Sequence, residues 1–214
     1  VLNALDAHER GAVILTRTSF KSAERSGNEW SIATQRADGT VQHHRARILV
    51  NAAGPWVQDV MRKSVGASNN ARIRMVKGSH IVVTALHEGS HAFILQNPDK
   101  RIIFVIPYEG RYSLIGTTDI VHQGNANEAA VSQEERAYLC ESASRLMTKE
   151  IMPSDIVWEF CGVRPLYDDD GAVDASKVTR DYVFDLQSDQ ARTPILNIYG
   201  GKITTYRRSV SYTH

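Results

Sequence analysis

Several things are scarce in this sequence, and each scarcity excludes a class of protein. Its 214 residues hold two cysteines, Cys140 and Cys161, too few for a disulfide framework, which points to a reducing compartment. Glycine (14) and proline (6) are too sparse for a fibrous chain. Charge of one sign is lacking too: 25 basic side chains face 24 acidic ones, so nothing global attracts a polyanion and no nucleic-acid partner is expected. No apolar run approaches the ~20 residues that span a bilayer. The longest, Ile102 to Pro107, is the length of a strand and flanked by charge. There is no Gly-x-Gly-x-x-Gly, hence no complete dinucleotide fingerprint, and neither Gly-x-Ser-x-Gly nor Cys-x-x-Cys occurs. The chain opens on Val-Leu-Asn rather than Met and has no signal core, so it is expected to be a piece of a longer protein.

What is present is an ordinary ordered composition, 42% hydrophobic and 23% charged, long enough for a sizeable core. Ala12 to Thr16 is β-rich and expected to be a buried strand. Trp30, Ile32 and Thr34 alternate with Ser31 and Ala33, and Asp38-Gly39 supplies a turn before Thr40-Val41. Ile48-Leu49-Val50 runs into Asn51-Ala52-Ala53-Gly54-Pro55-Trp56, with Pro55 placed for the first turn of a helix that has an apolar stripe of Trp56, Val57, Val60 and Met61. Ile73 to Val83, Phe93 to Leu95, Arg101 to Ile106 and Tyr112 to Ile115 are strand-like at short spacing, which favours antiparallel pairing. Ser132 with Glu135 forms a capping box for a helix reaching to about Lys149. Two later strands, Ile156 to Trp158 and Tyr182 to Phe184, are expected around a turn at Cys161 to Leu166. Asp168 to Gly171 reads as an exposed loop, and Ile195 to Tyr199 as the last strand.

Three groups of residues could carry chemistry. Gly200-Gly201-Lys202 follows an apolar strand and opens a helix, where backbone N–H groups can approach an anion and Thr204 and Thr205 add hydroxyls. The same spacing equally fits a tight turn with a capped helix, and it lacks the spacing of a phosphate-binding Walker loop. Arg164 and Arg180 could fork a phosphate or carboxylate, or simply be surface arginines. His80, after Gly78-Ser79, is the best-placed histidine for proton transfer, although a lone strand histidine is commonly just packed. His87 and His91 would share a metal only on a helix, and Glu88-Gly89-Ser90 argues for a loop, so no metal site is assigned. From the residues alone the reading stops at an α+β fragment with a candidate anion cleft.

Six segments, taken in order, carry the reading further: Val50 through Trp56, Lys77-Gly78-Ser79-His80, Ile115-Gly116-Thr117-Thr118-Asp119, Gly162-Val163-Arg164-Pro165-Leu166, Thr179-Arg180-Asp181-Tyr182, and Gly200-Gly201-Lys202 through Tyr206-Arg207. Over essentially the whole chain this resembles the FAD-dependent glycerol-3-phosphate dehydrogenases, the bacterial aerobic branch in particular. The resemblance implies an α+β fold: a mixed, mainly antiparallel sheet of a substrate domain plus part of an FAD-binding, Rossmann-like domain. Residues 1–56 and 191–214 would belong to the FAD domain, 57–72 would connect, and 73–190 would form the substrate domain. It implies oxidation of sn-glycerol 3-phosphate to dihydroxyacetone phosphate, with electrons passed to membrane quinone by an enzyme peripheral on the cytoplasmic face of the inner membrane.

The resemblance also implies roles. Arg164 would meet the phosphate or hydroxyl end of the substrate, and Arg180 would be a second anion contact. His80 would be the base for the C2 hydroxyl. Lys202 would contact the substrate and stabilise negative charge near the flavin, which Ala53, Gly54, Gly200, Gly201, Thr204 and Thr205 would line. The glycine-rich phosphate loop of such enzymes falls outside this sequence, within a portion of about 150 residues. The fragment alone is therefore expected neither to hold FAD tightly nor to turn over. Related flavin amine or amino-acid oxidases, and an anion-binding module without cofactor, are the competing readings.

Overall fold

The computed structural model describes residues 1–64, 72–168, 181–188 and 193–210. The chain divides into two units, Val1–Asn70 with Phe184–Ile198, and Ala71–Val183 with Tyr199–His214.

In the first unit, a short helix α1 (Leu2–Glu9) that buries none of its residues precedes Ala12–Leu15, which is not a strand and is exposed throughout. That corrects the expected buried strand: β-branched side chains favour a sheet only where neighbouring strands offer hydrogen bonds and a surface to pack on. A meander follows, β1 (Thr18–Ser26), β2 (Glu29–Arg36) and β3 (Val41–Ala46), paired antiparallel in that order. Its second turn is the expected Asp38-Gly39: Gly39 has φ +88° and Asp38 Oδ1 accepts the Thr40 N–H at 2.9 Å. Trp30 is fully buried with Ala23, Met61 and Ile195, and its indole donates to the Pro194 carbonyl at 2.8 Å.

The strand β4 (Leu49–Asn51) leads through a 3-10 turn at Gly54–Trp56 into α2 (Val57–Arg62), whose Val57 and Met61 point inward while Trp56 stays partly exposed. A small sheet has the order β11 (Tyr182–Gln187), β12 (Ile195–Gly200), β4. Its β12–β4 pair is parallel, with Ile195 opposite Leu49 and Asn197 opposite Asn51.

The second unit is built on a sheet of β5 (Ile73–Thr84), β6 (Phe93–Gln96), β7 (Ile102–Tyr108), β8 (Tyr112–Gly116), β9 (Ile120–Val121) and β10 (Ile156–Tyr167), in the order β10-β5-β8-β7-β6 with β9 beside β5. The pairs are antiparallel, as the short spacings predict. Alternation sorts the side chains: Ile103 and Val105 are buried, while Ile102, Phe104 and Ile106 face outward. The inward set, with Ile81, Val83, Leu95 and Ile115, packs against Leu139, Cys140 and Ala143 of helix α3 (Gln133–Ser144).

The capping box of α3 forms as predicted, but the helix stops at Ser144 rather than near Lys149, because the Ser144 hydroxyl takes the Ile151 N–H at 2.8 Å and the chain turns away. Cys161 to Leu166 is not a turn. It lies inside β10, paired residue by residue with Ser79 to Arg74. Gly162 sits opposite Gly78, and Pro165 is tolerated because β10 is an edge strand. Asp168, expected in an exposed loop, is largely buried in an ion pair with Arg74 at 3.1 Å; 169–171 lie outside the described residues. The last strand runs into a 3-10 turn (Ile203–Thr205) and α4 (Tyr206–Val210). Among the described residues no helix is long and apolar enough to cross a membrane.

Candidate functional site

Two of the predicted residues come together on one face of the second unit's sheet. His80 on β5 lies opposite Phe160 on β10 in one direction and opposite Gly116 on β8 in the other. Its ring stacks on Phe160 with centroids 4.8 Å apart and planes within 5°. On the other side it lies flat over Gly116, where a Cβ would collide with the imidazole. Arg164 lies opposite Val76 on the same pair of strands, and its guanidinium folds back over Gly78. A Cβ on Gly78 would collide with Arg164 Nη2 and come within 2.6 Å of Thr117 Oγ1. The two glycines thus make room for an imidazole and a guanidinium on the same surface.

The arginine is held from the loop after β8. Nη1 donates to Asp119 Oδ1 at 3.0 Å and Nη2 to Thr117 Oγ1 at 3.5 Å. Both Arg164 and Asp119 remain about one-third exposed, so the pair is open to a ligand. The guanidinium fork has further N–H donors for an anion. His80 Nδ1 is buried without a hydrogen-bond partner among the described residues. Burial, and then the nearby positive charge of Arg164, push the His80 pKa below its ordinary value, so the ring is neutral at pH 7.

Directly behind this surface, on the helix-covered face, lies a carboxylate that sequence reasoning took only for a helix cap. Glu135 is buried to 1% and accepts Ser79 Oγ and Thr118 Oγ1, each at 2.8 Å, on Oε1. Its Oε2 accepts the Ser132 N–H at 2.9 Å and pairs with Lys77 Nζ at 2.7 Å. Burial raises its pKa, and the bonds from Lys77, Ser132, Ser79 and Thr118 outweigh that, leaving it below the usual carboxylate value. The signal was available in the alternation of Lys77-Gly78-Ser79, which sends polar chains to one face and a glycine to the other.

Gly200 (φ +65°) ends β12 and Gly201 (φ +84°) follows it. A Cβ on Gly200 would come within 2.9 Å of the Asp181 carbonyl, and one on Gly201 would enter the Tyr182 ring, so both glycines answer to local packing as well as to any ligand. The Lys202 carbonyl accepts the Tyr182 hydroxyl at 3.0 Å, and the Lys202 and Thr204 side chains are exposed. The Thr205 side chain and all of Arg180 lie outside the described residues. In the first unit, Ala53 precedes Gly54, which has φ +54° and open space where a Cβ would stand. That turn is tied down by buried Asn51, whose amide donates to the Val57 carbonyl at 2.9 Å and to Asn197 Oδ1 at 3.0 Å. An open, left-handed glycine turn following a strand of a parallel pair suits the close approach of a dinucleotide. The residues present therefore fit FAD. His87 and His91 have ring centroids 4.9 Å apart, and no group of three or more metal-ligating side chains occurs among the described residues.

Comparison with known proteins gives a family match, described as FAD dependent oxidoreductase, over residues 1–206. The chain is 46% identical over 207 residues to D-erythritol 1-phosphate dehydrogenase of Brucella abortus, covering 96% of this chain and 41% of that protein. It is 45% identical over 208 residues to glycerol-3-phosphate dehydrogenase of Pseudomonas aeruginosa, covering 97% of this chain and 40% of that protein. Among solved structures it resembles glycerol-3-phosphate dehydrogenase from Bacillus halodurans complexed with FAD, with a TM-score of 0.79, 26% identity, and coverage of 97% of this chain and 39% of that one. The chain thus spans about two fifths of the length of these relatives.

Proposed function

We propose, from the premise that this chain belongs to the FAD dependent oxidoreductase family, that its parent protein oxidises sn-glycerol 3-phosphate at C2 to dihydroxyacetone phosphate. FAD, when bound, supplies the hydride acceptor for that oxidation. Ala53, Gly54, Gly200, Gly201, Lys202, Thr204 and Thr205 are the residues that would hold it, with Lys202 contributing positive charge. The final electron acceptor in this reading is a membrane quinone, met by a peripheral enzyme on the cytoplasmic face of the inner membrane.

The observation that carries the reading is the convergence of His80 and Arg164 on one sheet face, over Gly116 and Gly78. Arg164 binds and orients the substrate through its phosphate or hydroxyl end, and its flat fork suits an anion better than a lysine would. His80 is neutral at pH 7 because of burial and Arg164. A neutral imidazole can take the proton of the C2 hydroxyl as the hydride leaves C2, and since Nδ1 is buried the nitrogen that does so in this reading is Nε2. Phe160 and Trp158, whose rings lie 5.1 Å apart, give that imidazole an apolar wall that limits water. Arg180 is assigned as the second anion contact on the strength of its motif alone.

A second substrate has support of its own: the Brucella abortus relative, named for D-erythritol 1-phosphate, is as similar to this chain as the glycerol-3-phosphate enzyme is. The deciding experiment is anaerobic mixing of the purified full-length protein with each phosphate while the visible flavin spectrum is followed. Bleaching by sn-glycerol 3-phosphate, and not by glycerol or amino acids, supports the reading. Bleaching by D-erythritol 1-phosphate alone selects the second substrate, bleaching by an amino acid selects an oxidase, and a protein that binds no flavin is an anion-binding module. The 214-residue chain alone is expected to hold FAD weakly and to be inactive, since it carries no dinucleotide fingerprint; one flavin per purified chain would contradict this.

A further inference from the structure

We infer that Glu135 is a positioning residue for Arg164, working from the opposite face of the sheet; this rests on the reading that Arg164 meets the substrate. The chain alternates on both sides of the guanidinium. On β5, Gly78 lies beneath Arg164 while its neighbours Lys77 and Ser79 reach down to Glu135. In the loop after β8, Thr117 and Asp119 hold Arg164 while Thr118 between them reaches down to the same carboxylate. Thr118 Oγ1 also accepts the Ser79 N–H at 2.9 Å, which locks the loop to the strand. One carboxylate therefore fixes, from behind, both backbone segments that set the place of the guanidinium.

A helix cap alone does not account for this. The Ser132 cap needs only the Ser132 N–H and hydroxyl, and a capping glutamate works at the surface. Here the carboxylate is buried to 1% and collects three more donors, from Lys77, Ser79 and Thr118. A buried ion pair is a weak source of stability but a strong source of fixed geometry once all its partners are satisfied. A shift of about 1 Å in a positioned group can cost up to about a hundredfold in rate. Such a shift is what loosening the Thr117–Asp119 loop would produce.

The test is a double-mutant cycle in the full-length protein, using whichever of sn-glycerol 3-phosphate or D-erythritol 1-phosphate turns over faster. Glu135→Gln is expected to lower kcat/KM by about ten- to a hundredfold, and Thr118→Val to lower it by less. In an Arg164→Ala background both substitutions are expected to change kcat/KM by less than about twofold, while their losses in thermal midpoint persist, because coupling through a shared partner is what the cycle isolates. A full, undiminished loss in the Arg164→Ala background overturns the inference and leaves the functional reading standing. So does a Glu135→Gln protein with unchanged kcat/KM. If Glu135→Gln does not fold, the Thr118→Val cycle decides by the same criterion. Arg164→Ala with wild-type kinetics, or no turnover of either phosphate by the wild-type protein, overturns the functional reading and this inference with it.

Discussion

On the helix-covered face of the second unit's sheet, Ile81, Val83, Ile103, Val105 and Ile115 are buried against α3, and the buried carboxylate of Glu135 is fully hydrogen-bonded there. On the other face of the same strands, Ile94 is 69% exposed and Trp158 51%, and His80 keeps a buried Nδ1 with no partner among the described residues. Successive residues of one strand thus serve opposite ends. The covered face buries the apolar set and supplies stability. The open face carries a neutral imidazole and an arginine still about one-third exposed, a state that a folded protein tolerates where a ligand completes it.

That contrast can be broken from either side. The largest effect belongs to the covered face: Ile103→Ala should destabilise the protein by about 2–5 kcal/mol in urea unfolding, by lost burial and a residual cavity. On the open face the loss should appear in activity. Arg164→Ala should lower kcat/KM by about ten- to a hundredfold, the range for losing hydrogen bonds to a charged group, with the unfolding midpoint nearly unchanged. Gly78→Ala should cost less, about tenfold, because the new methyl displaces the guanidinium without removing it. A Gly78→Ala enzyme with normal kinetics would show that the guanidinium does not need this place.

The pH profile sharpens the same contrast. His80 must be neutral to act, and its pKa is held down by burial and by Arg164, so the acid limb of kcat/KM should lie at a lower pH than an ordinary histidine would give. Removing the Arg164 charge lets the His80 pKa rise, so in Arg164→Ala the acid limb should move to higher pH. A limb that stays put would separate the two residues electrostatically. Smallest of all, Ile94→Ser on the open face should change stability by no more than about 0.5 kcal/mol, measured in the same urea experiment as Ile103→Ala.

Local pattern made much of this legible. The Asp38-Gly39 hairpin, the antiparallel run from Ile73 to Gly116, the Ser132–Glu135 capping box and the last strand all depend on neighbours within a few residues, and all are found. Ala12 to Leu15 misled, because a β-rich run becomes a strand only beside a partner. Cys161 to Leu166 misled in the other direction, because Gly162 and Pro165 look like a turn until the pairing with β5 absorbs them. The candidate site was half legible. His80 and Arg164 could be picked out from their motifs, but their meeting depends on the register that sets Phe160 against His80 and Gly162 against Gly78.

By itself, then, the sequence determined which segments can be helix or strand, where the turns and caps fall, and which residue types are available for acid–base and anion chemistry, since these follow from local sterics and periodicity. Only the tertiary structure decided that Gly78 and Gly116 are floors for a guanidinium and an imidazole. It alone decided that Glu135 gathers Ser79, 56 residues before it, and Thr118, 17 before it, on the face behind them. Those relations are set by strand register and burial between parts of the chain distant in sequence, which no local pattern encodes.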